Sequence, residues 1–237
     1  MRRSSPAVSG ARRFGLGSMN AEAPVIYIVD DDPRVRDGLC SLLESAGFRT
    51  AAFGSADAFL SFAKPDCPSC LILDLELPDI NGLEVQQRLS DNDGPFVIFV
   101  TGHGDVSSSV RAMKSGAVEF LLKPVRKREL MKAVTEALER DREARAARMK
   151  IAELRKRYES LTPREKEVLP LVVAGYANKQ TAAELGNSEF TVAIQRGQIM
   201  RKMRARSLAE LIRMADQLGV TGAALQNERD GVKRPDL

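Results

Sequence analysis

The sequence predicts an α/β doubly wound five-stranded parallel sheet, then a helical linker, then an all-α four-helix unit. Three observations carry the prediction. Between Val25 and Leu122, short apolar runs alternate with helical patterns, as parallel strands joined by crossover helices require. Residues 24–124 hold 8 Lys+Arg against 15 Asp+Glu, a net of −7, whereas residues 125–237 hold 24 against 16, a net of +8. An acidic half followed by a basic half implies two domains with different partners, the second suited to a polyanion. From Leu161 onward, helix-start and helix-stop signals recur without a strand pattern between them.

Residues 1–23 are rich in Ser, Gly and Ala, with Arg2, Arg3, Arg12 and Arg13. Arg12-Arg13 hints at a twin-arginine signal, but no apolar region follows it. The segment reads as a disordered tail, and Met19 is a candidate true start because the first strand begins near Pro24. Val25–Val29 is that strand, and Asp30-Asp31-Asp32 follows at once. Adjacent carboxylates repel by roughly 4 kcal/mol per pair at about 4 Å and an effective dielectric of about 20. Mg²⁺, a hard cation that takes oxygen ligands, would relieve that; a solvated turn that caps the next helix accounts for the same residues. Arg34–Ser45 carries Val35, Leu39, Leu42 and Leu43 at helical spacing and stops at Gly47.

Phe48–Phe53 reads as the second strand, and Ser55 caps a short helix to about Ala63. Leu71–Asp74 is an apolar run of the kind that buries on both faces in a central parallel strand. Pro78, Asp79, Asn81 and Gly82 then make a turn before a helix over Leu83–Leu89. Phe96–Val100, a helix over Val106–Ser115 and Ala117–Leu122 complete the alternation, with Lys123-Pro124 at the last strand end.

Ligands of open α/β sheets bind at the carboxyl ends of the strands. Those ends carry Asp30 and Asp31, Asp74, Thr101 and Lys123. Three carboxylates, a hydroxyl and an ammonium on one rim are the parts phosphoryl transfer needs: a metal-shielded carboxylate nucleophile, and donors for the added phosphoryl oxygens.

The segments VDDD (29–32), LILDLELPDING (71–82), VTGHGD (100–105) and FLLKP (120–124) resemble a response-regulator receiver domain, which is flavodoxin-like in fold, over about residues 24–139. The resemblance implies that Asp74 is the phospho-acceptor. It implies that Asp31 and Asp74 bind Mg²⁺ directly, with Asp30 assisting through water and the Glu76 carbonyl completing the site. Thr101 and Lys123 take the place of the switch pair that contacts the phosphoryl group, and Phe120 that of the rotating aromatic. His103 lies in a loop and is not read as a phosphodonor.

After the last receiver helix, marked by Leu130, Val134 and Leu138, residues 140–157 form a helical linker without a sustained apolar seam; a dimerising coiled coil is the minority reading. Thr162-Pro163-Arg164-Glu165 is a capping box with Pro at the first helical position, opening a helix that ends at Gly175. Asn178 opens a second short helix, stopped at Gly186. Ser188 caps a third over Glu189–Met203, and Ser207-Leu-Ala-Glu210 reads as another capping box before a fourth to about Leu218. Helix two, a tight turn and a basic helix three make a helix-turn-helix.

LTPREKEVL (161–169), ANKQTAAELG (177–186), SEFTV (188–192) and IMRKMRARSLAEL (199–211) resemble the LuxR-type DNA-binding domain of NarL/FixJ response regulators, over about residues 158–219. By position, Thr191, Val192, Gln195 and Arg196 face bases or adjacent phosphates of double-stranded DNA, and Lys179 and Lys202 hold the backbone. Phe190, Ala193 and Gln195 depart from the family's commoner residues, and Gly197 inside the helix costs about 1 kcal/mol relative to Ala. Residues 220–237 read as a disordered tail.

With three cysteines, no secretory signal and no apolar run of the roughly 18 residues a membrane span needs, the chain reads as a cytoplasmic protein. Cys67-Pro-Ser-Cys70 matches a redox spacing, yet Cys70 opens a buried strand, so both are read as apolar fillers. The resemblances together imply a two-component response regulator. A sensor histidine kinase would phosphorylate it on Asp74 with Mg²⁺ present; it would form a homodimer when phosphorylated and act as a DNA-binding transcription factor. Two rivals stand beside this reading: a receiver whose basic half is a protein-interaction or membrane-surface module, and an aspartyl-phosphate phosphohydrolase, for which no cap or substrate-pocket sequence is present.

Overall fold

The computed structural model describes residues 23–90, 94–102 and 106–220. The readings made for the tails at 1–22 and 221–237, for Met19 and for His103 lie outside the described residues. The chain divides into two compact units after Arg145.

In the first unit the elements run β1 (Val25–Val29), α1 (Pro33–Ser45), β2 (Arg49–Phe53), α2 (Ala56–Leu60), β3 (Ser69–Leu73), α3 (Gly82–Ser90), β4 (Phe96–Thr101), α4 (Val106–Lys114), β5 (Glu119–Leu122) and the part of α5 (Lys127–Glu159) up to Arg145. All strand pairs are parallel, in the order β2-β1-β3-β4-β5. β1 and β3 are wholly buried, and the period of two along a strand sends alternate residues to opposite layers. Val25, Tyr27 and Val29 pack with Phe53, Phe59, Leu71, Leu73 and Phe99 on one face. Ile26 and Ile28 pack with Leu39, Leu43, Ile72, Ile98, Leu130 and Leu138 on the other. Both faces are covered, which is why these strands read as continuous apolar runs.

β3 runs Ser69–Leu73 rather than Leu71–Asp74, and two further boundaries differ from the sequence reading for visible reasons. α2 stops at Leu60 rather than near Ala63, because the Lys64 ammonium donates to the carbonyls of Phe59 and Phe62 and closes the helix end. β5 begins at Glu119 rather than Ala117, because the Ala117 amide still bonds the Ala112 carbonyl of α4. The last receiver helix and the linker are one helix, α5, of 33 residues; no Gly or Pro interrupts 127–159. Within the first unit, α5 is tied to the start of β3. Buried Asp141 accepts from the Ser69 amide at 2.9 Å and from Arg145 Nε at 2.8 Å, and Arg145 also pairs with Asp66.

In the second unit, α6 (Pro163–Val173), α7 (Asn178–Leu185), α8 (Glu189–Met203) and α9 (Leu208–Gln217) enclose a core of Leu154, Leu161, Val168, Leu169, Val172, Ile199, Met203 and Leu211. The Thr162–Glu165 capping box forms in both directions. Gly186 ends α7 in the left-handed region at φ 63°, where a side chain is strained. Ser188 Oγ accepts from the Thr191 amide to open α8. The second capping box is half formed: Ser207 Oγ accepts from the Glu210 amide, but the Glu210 carboxylate takes the Arg206 amide instead of Ser207's. Among the described residues, no helix is long and apolar enough to cross a membrane.

Candidate functional site

The parallel register brings the ends of β1, β3, β4 and β5 to one rim. Asp30 follows β1 and Asp74 follows β3, both buried; Thr101 closes β4 and is buried; Lys123 follows β5. Lys123 Nζ donates to Asp30 Oδ2 and to Asp74 Oδ2, each at 2.6 Å, so one ammonium bridges two strand ends 49 and 93 residues away in sequence. Asp31 is exposed beside them, and Asp30, Asp31 and Asp74 each place a carboxylate oxygen within 4.8 Å of the others. Asp32 does not join this group; it caps α1, accepting from the Arg34 amide at 2.8 Å. The triple-aspartate run therefore divides: Asp32 caps α1, and Asp30 and Asp31 join Asp74 at the rim.

Three carboxylates against one ammonium leave a surplus of two negative charges, which one divalent cation balances. All the donors are oxygens, and an exposed Asp31 keeps the cluster open to solvent, which fits a hard cation such as Mg²⁺. Burial pushes the Asp30 carboxyl above its ordinary range, against the Lys123 hydrogen bond and the Asp32 amide. Burial alone would lower the Lys123 ammonium, but its bonds to Asp30 and Asp74 overcome that and hold it above the ordinary lysine value. The site is thus buried on its sheet side and open where Asp31 is exposed.

The loop after β3 is held close. The Glu76 amide donates to Asp74 Oδ1 at 3.2 Å, and the Gly82 amide donates to the Leu75 carbonyl at 2.9 Å. A Cβ at Gly82 would stand 2.5 Å from the Asp74 carbonyl oxygen and 3.0 Å from the Phe99 ring; only glycine fits. The Lys123-Pro124 bond is cis, and the Lys123 amide donates to the Thr101 carbonyl at 2.8 Å. Phe120 is partly buried against the Phe99 ring, 6.1 Å between centroids.

Sequence reasoning missed Arg36. From α1, its Nη1 donates to the carbonyls of Asp30 at 2.7 Å and Asp31 at 2.9 Å, fixing the backbone of the acidic loop from beneath. Its only sequence signal was position, one turn into the helix after the aspartates.

In the second unit the predicted DNA-facing residues separate. Thr191 and Lys179 are exposed. Arg196 is half-buried, with Nη1 3.5 Å from Asn178 Oδ1. Gln195 is half-buried, and its carboxamide oxygen is buried without a hydrogen-bond partner. Val192 is corrected: it is 0% exposed, packed in the domain core, and cannot reach a base edge. Lys202 is also committed internally. Its Nζ donates to buried Glu165 Oε2 at 2.7 Å, tying α8 to the start of α6. Burial would raise the Glu165 carboxyl; Lys202 and Thr162 outweigh it and hold it below its ordinary range.

The cysteines follow the filler reading. Cys67 and Cys70 are buried and unpaired as free thiols, and burial pushes both thiols upward, the opposite of what redox chemistry needs.

Comparison with known proteins matches the two units to two families. Residues 26–135 match the response regulator receiver domain, and residues 159–215 match the bacterial regulatory proteins of the luxR family. Nodulation protein W of Bradyrhizobium diazoefficiens is 50% identical over 83% of this chain and 87% of its own. Response regulator protein TodT of Pseudomonas putida is 43% identical over 86% and 90%. Among solved structures, the response regulator StyR superposes with a TM-score of 0.71 at 43% identity, covering 82% of this chain and 99% of that one.

Proposed function

The chain belongs to the two-component response regulators that join a receiver to a LuxR-type DNA-binding domain, and from that premise we propose that phosphoryl transfer to Asp74 governs how it binds double-stranded DNA as a transcription factor. The observation that carries the proposal is the Lys123 ammonium bridging Asp30 and Asp74 at 2.6 Å, with Asp31 in the same cluster.

In this reading a sensor histidine kinase presents a phosphohistidine. An Asp74 carboxylate oxygen attacks phosphorus, the P–N bond breaks, and the imidazole leaves with the bonding pair and takes a proton. Mg²⁺, held by the carboxylates of Asp31 and Asp74, by Asp30 through water and by the Glu76 carbonyl, would neutralise the phosphoryl oxygens when bound. Lys123 is placed to give up its bond to Asp74 and donate to an added phosphoryl oxygen. Thr101, at the neighbouring strand end, offers a hydroxyl to another, and Phe120 turns with it. An apolar cleft of about 510 Å³, lined by Val35, Leu39, Leu42 and Val125 beside Lys123, gives the kinase a surface next to the rim.

The α4 face supports dimerisation on phosphorylation. Val106, Val110 and Met113 are exposed one turn apart, and Leu122 of β5 is exposed too. The working division is a receiver over 24–139, a helical linker over 140–157 and a DNA-binding domain over 158–219, with Thr191, Gln195, Arg196 and Lys179 toward the DNA. A preference of roughly 5.5 kcal/mol carries such an equilibrium from about 1:99 to 99:1, within reach of a dianion meeting an ammonium in a buried site.

The test is Asp74→Asn with radiolabelled phosphodonor and Mg²⁺, followed by promoter binding. The variant takes up no label and loses phosphate-dependent binding; label retained on the variant would move the acceptor elsewhere.

A further inference from the structure

Helix α8 has an inward face and an outward face of opposite chemistry. Val192, Ile199 and Met203 point into the core. The other face, at offsets of four, three and four, reads Phe190, Ile194, Gly197 and Arg201. Phe190 is 76% exposed and Ile194 49%, and Ala193 between them is exposed as well. An aromatic and a branched aliphatic side chain exposed one turn apart on a surface helix, on a unit with a basic surplus, offer a face suited to recognition.

Gly197 adds an independent observation. It sits inside the helix, where glycine is unfavourable, and a Cβ placed there would meet nothing within 4 Å. Nothing in the protein requires the missing side chain. A bare patch on the outward face is what close approach by a ligand surface requires. Exposed Arg201 ends the same face, and exposed Lys179 adds a cation on α7 of the same unit, the charge complement of a polyanion whose recognised edge is apolar.

We infer that Phe190 and Ile194 read thymine C5-methyl groups in the major groove, and that Gly197 lets the groove floor approach the helix; this rests on the DNA-binding reading above. In the major groove the one apolar base feature is the thymine methyl. From Phe190 to Arg201 the face runs about 16 Å along the helix, enough for several base-pair steps. Specificity then comes from buried methyls more than from bidentate hydrogen bonds, in keeping with Gln195, whose buried amide oxygen leaves at most its amide nitrogen for a base, and with buried Val192.

The test uses the full chain with Mg²⁺ and acetyl phosphate. Duplexes that it binds are selected from a random pool, and each thymine in the selected site is then replaced, one at a time, by deoxyuridine, which lacks only the methyl. At each contacted position binding weakens about fourfold, the value of one buried methyl. Phe190→Ala abolishes the penalty at one position and Ile194→Ala at another, while both variants keep the thermal midpoint of the parent. Gly197→Ala raises the midpoint and still weakens binding. Selected DNA that binds in a salt-dependent way but ignores deoxyuridine overturns the inference and leaves the DNA-binding reading standing. Failure to select any DNA overturns both. Loss of self-association in Phe190→Ala or Ile194→Ala, with the deoxyuridine profile unchanged, overturns it in favour of an interface between copies.

Discussion

Lys202→Met separates an internal role from a DNA-contacting one. In the fold the Lys202 ammonium lies 2.7 Å from Glu165 Oε2, and the same oxygen accepts the Thr162 amide at 2.8 Å. The Lys202 side chain is about one-quarter exposed and that of Glu165 nearly buried. Methionine keeps the stem and removes the charge, leaving a buried carboxylate with only the Thr162 end of the network. Breaking a buried pair from one side costs 3–5 kcal/mol, and the partial exposure of Lys202 places this case at the lower limit, about 3 kcal/mol. For a unit of this size that lowers the unfolding midpoint by roughly 10–20 °C.

The pH dependence gives a sharper readout. Glu165 is held below its ordinary value, so its contribution is present above the unfolded pKa of about 4.3 and is lost as pH falls through the lower folded value. Without Lys202, only Thr162 opposes burial, so the carboxyl moves upward and that acid-side loss shrinks. Urea unfolding of the full chain from pH 3 to 7, followed by hydrogen exchange of the α6 and α8 amides, measures both effects. A Lys202→Met protein with parental stability and the parental acid limb would refute the internal role. DNA supplies the cross-check. If Lys202 contacted a phosphate, the salt slope of binding would fall by about 0.9 in the variant; an internal Lys202 leaves the slope unchanged even where affinity drops.

Two further outcomes follow from the receiver. Gly82→Ala drives a Cβ to 2.5 Å from the Asp74 carbonyl, so the loop must move; we expect a loss of about 1–3 kcal/mol of stability and a larger loss of phosphoryl uptake, and an alanine variant labelled at the parental rate would contradict the close packing. Lys123→Ala leaves two buried carboxylates without their shared cation and destabilises the receiver by about 3 kcal/mol in chelator; millimolar Mg²⁺ recovers most of it, and a calorimetric melt insensitive to Mg²⁺ would remove the cation from the cluster.

What the sequence made legible, and what it hid, divides along backbone lines. The strands were readable because a sheet covered on both faces needs apolar residues at every position, as in Val25–Val29 and Leu71–Leu73. Asp30, Asp74, Thr101 and Lys123 were readable because each sits at a strand end, where side-chain type and place agree. Arg36 was not, because it acts through two carbonyl oxygens, and backbone acceptors leave no mark on sequence. The early stop of α2 was hidden for the same reason, Lys64 closing it through carbonyls. Val192 was misplaced by helix phase: it lies seven residues before Ile199 on the buried face, and a position shared with DNA-binding relatives says nothing of its inward turn.

Among the described residues, buried carboxylates beside cations occur three times, and only one of them has the makings of a reactive site. Asp141 is satisfied by the Ser69 amide and Arg145, and Glu165 by the Thr162 amide and Lys202. In each a single buried carboxylate meets one fixed cation and one backbone donor, and the result is a clasp: α5 to β3 in the first, α8 to α6 in the second. The rim at Asp30 and Asp74 shares the chemistry but not the balance. One ammonium serves two buried carboxylates, and a third, Asp31, stands exposed at the opening. Burial and a perturbed pKa are common to closed and open clusters and so do not identify function. The surplus of negative charge does set the rim apart: three carboxylates share one ammonium there, a balance that a divalent cation would complete, whereas the two clasps are already neutral pairs.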